Sequence, residues 1–178
     1  GMNFSHRTVT LSTCGLVPQI RKLGKDIRVN LAVSLNASDE ETRNYLMPVN
    51  HKYPLRSLME TLREFPLLNR RMITFEYVLV GGINDRDEDA HRVAALLKGM
   101  RAKINLIALN PHPDLDFVPP SPERVLRFQE ILVEHHFTAM IRKSKGQDIS
   151  AACGQLSGKH AGCVSPVAGC QSVSPPPH

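Results

Sequence analysis

The sequence predicts an α/β protein in which βα repeats build a parallel sheet, and three observations support this. Short β-branched or apolar runs alternate with segments of helical periodicity from residue 7 to residue 141. A helical segment separates each predicted strand from the next, as right-handed βαβ crossovers require. Three of the strands are almost continuously apolar, which is typical of strands covered on both faces. The length of 178 residues is short for a complete (β/α)₈ barrel, which needs about 250 residues.

The first part of the chain contains two predicted strands and three predicted helical segments. Residues 7–11 (RTVTL) and 29–33 (VNLAV) are short and rich in β-branched or apolar side chains. A helix over residues 17–25 follows from the spacing of its apolar side chains and from its early proline. Ser38 precedes three acidic residues, which predicts that Ser38 caps a helix. A further helix is expected over residues 55–65.

The second part repeats the alternation. Residues 72–80 (MITFEYVLV) form the strongest strand signal, and 103–109 (KINLIAL) and 137–141 (FTAMI) are the strands that follow. Between them we expect a helix over residues 87–99 and another from Pro122 to about residue 135. Asp85 is the predicted cap of the first helix and Ser121 opens the second.

The composition changes after residue 156. Residues 1–156 are predicted to form one folded domain, and residues 157–178 are rich in Gly, Ser and Pro. A segment of that composition buries little apolar surface, so we expect a disordered tail. Cys163 and Cys170 lie in this tail and are interpreted as free thiols.

Charge and cysteine content exclude several classes of protein. Lys and Arg number 22 against 17 Asp and Glu, a net charge of +5 that favours a polyanionic partner. No apolar run of about 18 residues occurs, so no membrane span is expected. No signal segment is recognised, which makes the cytoplasm the expected location. The four cysteines include no C-x₂-C pair, so neither a zinc ribbon nor a complete iron–sulfur motif is present, and no metal ligands are assigned.

Small polar residues follow four of the predicted strands. The carboxyl ends of parallel strands lie at one edge of the sheet, where ligands bind. We call this edge the rim. Hydroxyl and amide groups there suit a polar ligand with carboxylate, amine and ribose groups, although ordinary turn chemistry explains the same residues. The rim segments are residues 12–15 (STCG), 34–36 (SLN), 81–84 (GGIN) and 110–112 (NPH).

A basic loop with one cysteine follows the last strand. Arg142, Lys143 and Lys145 precede Cys153 in a stretch of small residues. Neighbouring cations favour the thiolate and would make Cys153 a better nucleophile, and they could also bind the phosphates of a nucleic acid. The alternative is a solvated basic strand end beside a buried structural cysteine.

Four of these segments together resemble one family, the radical-SAM adenine-C2 methyltransferases that act on 23S ribosomal RNA and on some transfer RNAs. The segments occur in the family's order and spacing over residues 3–156. They are VTLSTCG (9–15), LAVSLNA (31–37), NLIALNP (105–111) and RKSKGQDISAACGQL (142–156).

The resemblance implies a fold, two cofactors and a set of site residues. The family fold is a partial (β/α)₆ TIM-like barrel, of which this chain resembles the C-terminal half. Family members bind S-adenosylmethionine on a 4Fe-4S cluster held by a C-x₃-C-x₂-C motif. Cys153 matches the cysteine that is methylated and then delivers its carbon to adenine C2. The positions that match S-adenosylmethionine contacts are Ser12, Ser34, Leu35, Asn36 and Asn110.

The chain departs from the family pattern in three respects. The cluster motif and the family's Gly-Glu-Pro segment do not occur in it, and Asn36 stands where many relatives have His. We therefore expect this chain alone to be inactive, and we expect the edge of its first strand to pair with a second copy. The expected partner is ribosomal RNA, with transfer RNA as a second candidate. The alternatives are an RNA-docking fragment without catalysis and an aldolase-like fragment that binds a phosphorylated sugar.

Overall fold

The computed structural model describes residues 9–26, 29–67, 70–111 and 116–142. Within them a five-stranded sheet has the order β1-β2-β3-β4-β5, and every neighbouring pair is parallel. This confirms the predicted α/β class and all five predicted strands. The strands are β1 (Thr10–Thr13), β2 (Asn30–Ser34), β3 (Ile73–Leu79), β4 (Ala102–Ala108) and β5 (Thr138–Arg142). The expected tail and Cys153 lie outside the described residues.

Four of the helices cover one face of the sheet. Their side chains join alternate residues of β2, β3 and β4 in the main core, which includes Leu31, Phe75 and Ile104. The period-2 alternation of strands and the apolar stripe of each helix together produce this packing. The helices are α1 (Val17–Asp26), α2 (Glu40–Leu46), α3 (Val49–Lys52), α4 (Leu55–Arg63), α5 (Asp87–Leu97) and α6 (Pro122–Glu134).

The opposite face, which we call the inner face, is more polar than the sequence indicated. Register pairs Ser34 with Glu76 and Glu76 with Asn105, so these three residues share one row on the inner face. Apolar cover occurs at the carboxyl end, where a smaller cluster includes Val78, Val80 and Phe117. At the centre of the sheet the inner face therefore carries polar side chains, of which Ser34 and Asn105 are buried.

Two predicted helix caps were also wrong. Asp39, not Ser38, caps α2, since its Oδ1 accepts a hydrogen bond from the Thr42 amide at 2.8 Å. The Ser38 hydroxyl is instead directed to Asp89 Oδ1 at 3.0 Å. Asp85 accepts from the Gly82 amide within the turn after β3, so that α5 begins at Asp87 as expected but has Arg86, not Asp85, at its N-cap. Tertiary contacts thus decided which polar residue served as the cap.

None of the helices in the described ranges combines the length and apolar character needed to cross a bilayer.

Candidate functional site

All described strands run in the same direction, so the polar segments that follow them lie at one rim. Ser12 lies in β1 and is exposed, and Asn110 follows β4 and is also exposed. Ser34 is the last residue of β2 and is buried. The structure therefore leaves the side chains of Ser12 and Asn110 open to a ligand and encloses Ser34 more deeply.

Leu35 holds the rim together through its backbone. Its side chain is fully buried in the main core on the helix side. Its amide donates to the Glu76 carbonyl at 2.9 Å, and its carbonyl accepts from Arg43 Nε at 3.1 Å. Both polar atoms of its backbone are thus engaged within the protein.

Asn36 marks the point where β2 leaves the sheet. Its φ of 56° is in the left-handed region, which turns the chain away from β3. Its side-chain Oδ1 then accepts a hydrogen bond from the Val78 amide at 2.9 Å. The side chain thereby replaces the strand carbonyl that would otherwise satisfy this amide, because the Leu35 carbonyl faces Arg43.

Beyond the end of β2, the side chain of Asn84 pairs with the edge of β3 that β2 no longer covers. Its amide group donates to the Val78 carbonyl and accepts from the Val80 amide, at 2.8 and 2.7 Å. This is the pattern that a neighbouring parallel strand would make. Asn84 also donates to the Asn36 carbonyl at 2.8 Å, and its own carbonyl accepts from the Tyr77 hydroxyl. Burial, with the nearby Asp89 second, raises the pKa of Tyr77 well above its ordinary value, so the hydroxyl remains a donor.

Arg43 joins the ends of β1 and β2. Its guanidinium donates to the carbonyls of Leu35, Ser34 and Cys14 and to Asn50 Oδ1, at 3.1, 3.2, 2.9 and 2.7 Å. The side chain is fully buried. Burial lowers the pKa of Arg43 to about 10, which still leaves it charged at neutral pH. A buried cation surrounded by carbonyl oxygens fixes the relative positions of the segments that carry Ser12 and Ser34.

The network extends from Arg43 to the start of α4. Asn50 accepts from Arg43 and donates to Glu40 Oε2 at 2.7 Å. Glu40 also accepts from the amides of Leu55 and Arg56, both at 3.0 Å. Burial alone would raise the pKa of Glu40, but these hydrogen bonds outweigh it and lower the pKa. The rim is thereby anchored to the helical layer.

A cluster-binding set is not found in the described part of the chain. Cys14 is the single cysteine there, and no group of three residues of metal-ligating type occurs among the described positions. These residues therefore do not fit a 4Fe-4S cluster.

Of the basic loop, the structure describes only the first residue, Arg142. Arg142 ends β5 and is exposed. Lys143, Lys145 and Cys153 lie outside the described residues, so their predicted roles remain predictions.

Sequence reasoning missed Arg43, Asn50 and the structural role of Asn84. One signal was available for Arg43, which lies three residues before the buried Leu46 on α2 and hence on the same helix face. Asn84 was predicted to belong to a ligand-binding rim segment, with ordinary turn chemistry as the alternative, and nothing local shows that its side chain will substitute for a strand.

Comparisons with known proteins complete the description of this site. A scan against models of known protein families finds no match. Among curated proteins, the chain is 56% identical over 159 residues to the dual-specificity RNA methyltransferase RlmN of Syntrophotalea carbinolica. It is 57% identical over 157 residues to the protein of the same name from an Anaeromyxobacter strain. The alignments cover 89% and 88% of this chain and 43% and 42% of those relatives, so the chain spans less than half of their length.

Solved structures agree with the curated relatives. A radical SAM methyltransferase from Sphaerobacter thermophilus has a TM-score of 0.79 and 47% identity, over 88% of this chain and 46% of that one. A domain of a pyruvate-formate lyase-activating enzyme from Bacteroides vulgatus, at 18% identity and a TM-score of 0.56, shares the fold alone. These likenesses confirm the predicted part of a TIM-like barrel.

Proposed function

We propose that this chain, which belongs by homology to the RlmN family of dual-specificity RNA methyltransferases, forms the C-terminal part of a radical S-adenosylmethionine enzyme that methylates adenine C2 in RNA. The observation that carries the proposal is the identity of 56% over 159 residues to an RlmN protein. The proposed substrates are 23S ribosomal RNA and transfer RNA, and the basic residues after β5 are proposed to contact their phosphates.

The rim residues suit S-adenosylmethionine. When bound, S-adenosylmethionine supplies the methyl group for transfer. The exposed hydroxyl of Ser12 and the exposed amide of Asn110 can hydrogen-bond its ribose and carboxylate groups. Ser34 presents a buried hydroxyl, whereas Leu35 and Asn36 shape the rim through their engaged backbone and amide groups. Arg43 holds these segments in place without contacting the ligand.

Cys153 is the proposed methyl carrier. Its thiolate would take the methyl group on sulfur, and Lys143 and Lys145 would favour the thiolate form. The described residues hold no ligands for a 4Fe-4S cluster. We therefore propose that the chain alone is inactive and that catalysis needs a cluster-bearing upstream half.

A chimera tests this function. The matching C-terminal part of the Syntrophotalea carbinolica RlmN is replaced by this chain, and 2-methyladenine in substrate RNA is measured by mass spectrometry. The chimera should methylate RNA, while the chain alone should give no product. Cys153→Ala in the chimera should abolish product formation and leave RNA binding within about twofold, because the thiol is essential to transfer and phosphate contacts supply most of the affinity.

Cys163→Ala is the matched control, since it removes a thiol from the predicted tail and should keep full activity. Product from the Cys153→Ala chimera would contradict the carrier role. Loss of RNA binding in the same variant would favour the docking interpretation instead.

A second copy of the chain is the proposed partner of the β1 edge. No described strand pairs with the outer side of β1. The Asn30 amide donates to the Val9 carbonyl at 3.0 Å, so the amides of Thr10 and Ser12 face away from β2 and can pair with another chain.

Light scattering across protein concentrations should show a monomer–dimer equilibrium for the unmodified chain. Thr10→Pro should shift it to monomer, because proline removes an outward amide without breaking the pairing with β2. A monomer at all concentrations would contradict this proposal.

A further inference from the structure

The inner face holds a buried amide whose oxygen has no hydrogen-bond partner among the described residues. Asn105 lies in the centre of β4 and is 5% exposed. Its Oδ1 is buried and accepts no hydrogen bond from any residue of the described ranges. A buried polar atom in this state costs free energy, which an apolar residue at the same position would avoid. Such atoms are found where a ligand supplies the missing partner.

The neighbours of Asn105 define what this ligand must offer. Asn105 is in register with Glu76 of β3, and Glu76 with Ser34 of β2. Adjacent strands lie about 4.8 Å apart, so the three side chains form one continuous row. Glu76 is half-buried. Among the described residues no hydrogen bond or ion pair engages its carboxylate, and none engages the amide nitrogen of Asn105.

Within this row, Asn105 and Glu76 present two hydrogen-bond acceptors beside one donor. Asn105 Oδ1 and the Glu76 carboxylate accept, and Asn105 Nδ2 donates. An amino group with two hydrogens next to a ring nitrogen complements this pattern. The 6-amino edge of adenine has that arrangement, and a single Asn side chain reads it by a pair of hydrogen bonds. A 6-oxo purine would place its O6 against the acceptor oxygens of Asn105 and Glu76 and would bind more weakly.

We propose that Asn105 and Glu76 recognise the 6-amino edge of an adenine on the inner face. The inference rests on the proposed function, in which both the cofactor and the RNA substrate carry adenine. Asn105 Oδ1 and Glu76 accept the two amino hydrogens, and Asn105 Nδ2 donates to the neighbouring ring nitrogen. Ser34, in the same row, places this subsite beside the rim.

Calorimetry with paired probes tests the subsite on the 178-residue chain. The first pair is S-adenosylhomocysteine and S-inosylhomocysteine, and the second is a short RNA containing adenine or hypoxanthine at one position. The chain should prefer the adenine member of at least one pair by about tenfold or more. Preference within the first pair assigns the subsite to the cofactor, and preference within the second pair assigns it to the substrate base.

Asn105→Leu separates recognition from a structural role. It should abolish the preference for the adenine member of the pair, so that both members bind with about equal affinity. The Tm of the free chain should rise by about 2–4 °C, because an unpartnered buried amide has been removed. Asn105→Asp keeps an acceptor and loses the donor, so it should weaken binding while retaining part of the preference. Thr74→Val, on the same face and one row away, is the matched control and should change neither quantity.

The inference is overturned if neither pair shows a preference, if Asn105→Leu retains the preference, or if that variant lowers the Tm. These results are independent of the chimera assay. Methylation by the chimera without purine discrimination would leave the proposed function standing and remove this subsite.

Discussion

Arg43→Met is expected to lower the free energy of unfolding by about 3–5 kcal/mol, the range found when one partner of a buried ionic network is removed. The substitution leaves the carbonyls of Leu35, Ser34 and Cys14 without their donor inside the protein. Arg43→Lys should lower the free energy of unfolding by a smaller amount, because the ammonium group retains the charge. Some loss should remain, because that group cannot reach all four acceptors. Urea denaturation followed by circular dichroism measures both variants.

Arg56→Met is the matched control for Arg43. Its side chain is 87% exposed and pairs with Glu60 along the surface of α4. Exposed pairs of this kind contribute little to stability, so the denaturation midpoint should not change within error. A midpoint for Arg43→Met that equals that of Arg56→Met would show that the network has no stabilising role.

Asn84→Leu is expected to destabilise the protein by about 3 kcal/mol or more, since it leaves three buried groups unsatisfied and each costs about 1–3 kcal/mol. The groups concerned are the Val78 carbonyl, the Val80 amide and the Asn36 carbonyl. Thermal unfolding should show a loss of about 2–4 °C for each kcal/mol.

Asn84→Asp adds a pH signature to the same prediction. A carboxylate can accept from the Val80 amide but faces two carbonyl oxygens, so burial and repulsion should raise its pKa in the folded state. The folded form then binds more protons than the unfolded form between about pH 4, the ordinary carboxyl value, and that raised pKa. The free energy of unfolding of Asn84→Asp should therefore increase as the pH falls through this window. The difference in free energy of unfolding between Asn84→Asp and Asn84→Leu should accordingly change with pH. A constant difference would contradict the assigned geometry.

The sheet was predictable because its signal is repeated along the chain. Each apolar strand followed by a helical stripe predicts another βα unit, and parallel pairing then places every strand end at one edge. This is why Ser12, Ser34 and Asn110 were identified from strand ends alone. Boundaries were less predictable: the first strand was expected over residues 7–11, and the structure places β1 at Thr10–Thr13.

The buried polar contacts were not predictable from local pattern. Ser38 is a residue type that commonly caps helices. Its hydroxyl instead donates a hydrogen bond to Asp89, which lies 51 positions later in the chain. Arg43 and Asn50 act through partners brought together by the fold, and their residue types are usually found at the surface. Asn105 was read as part of an apolar strand, and its unpaired oxygen became evident through the register of β3 and β4.

The replacement of strand pairing by two asparagine side chains has a consequence for local motion at the rim. The amide hydrogens of Val78 and Val80 are held by side-chain oxygens of Asn36 and Asn84. Both asparagines are buried, so these amides reach solvent when the rim opens locally or when the whole domain unfolds. If deuterium exchange at these two amides is faster than in the centre of the sheet, the difference measures how much more easily the rim opens than the domain unfolds.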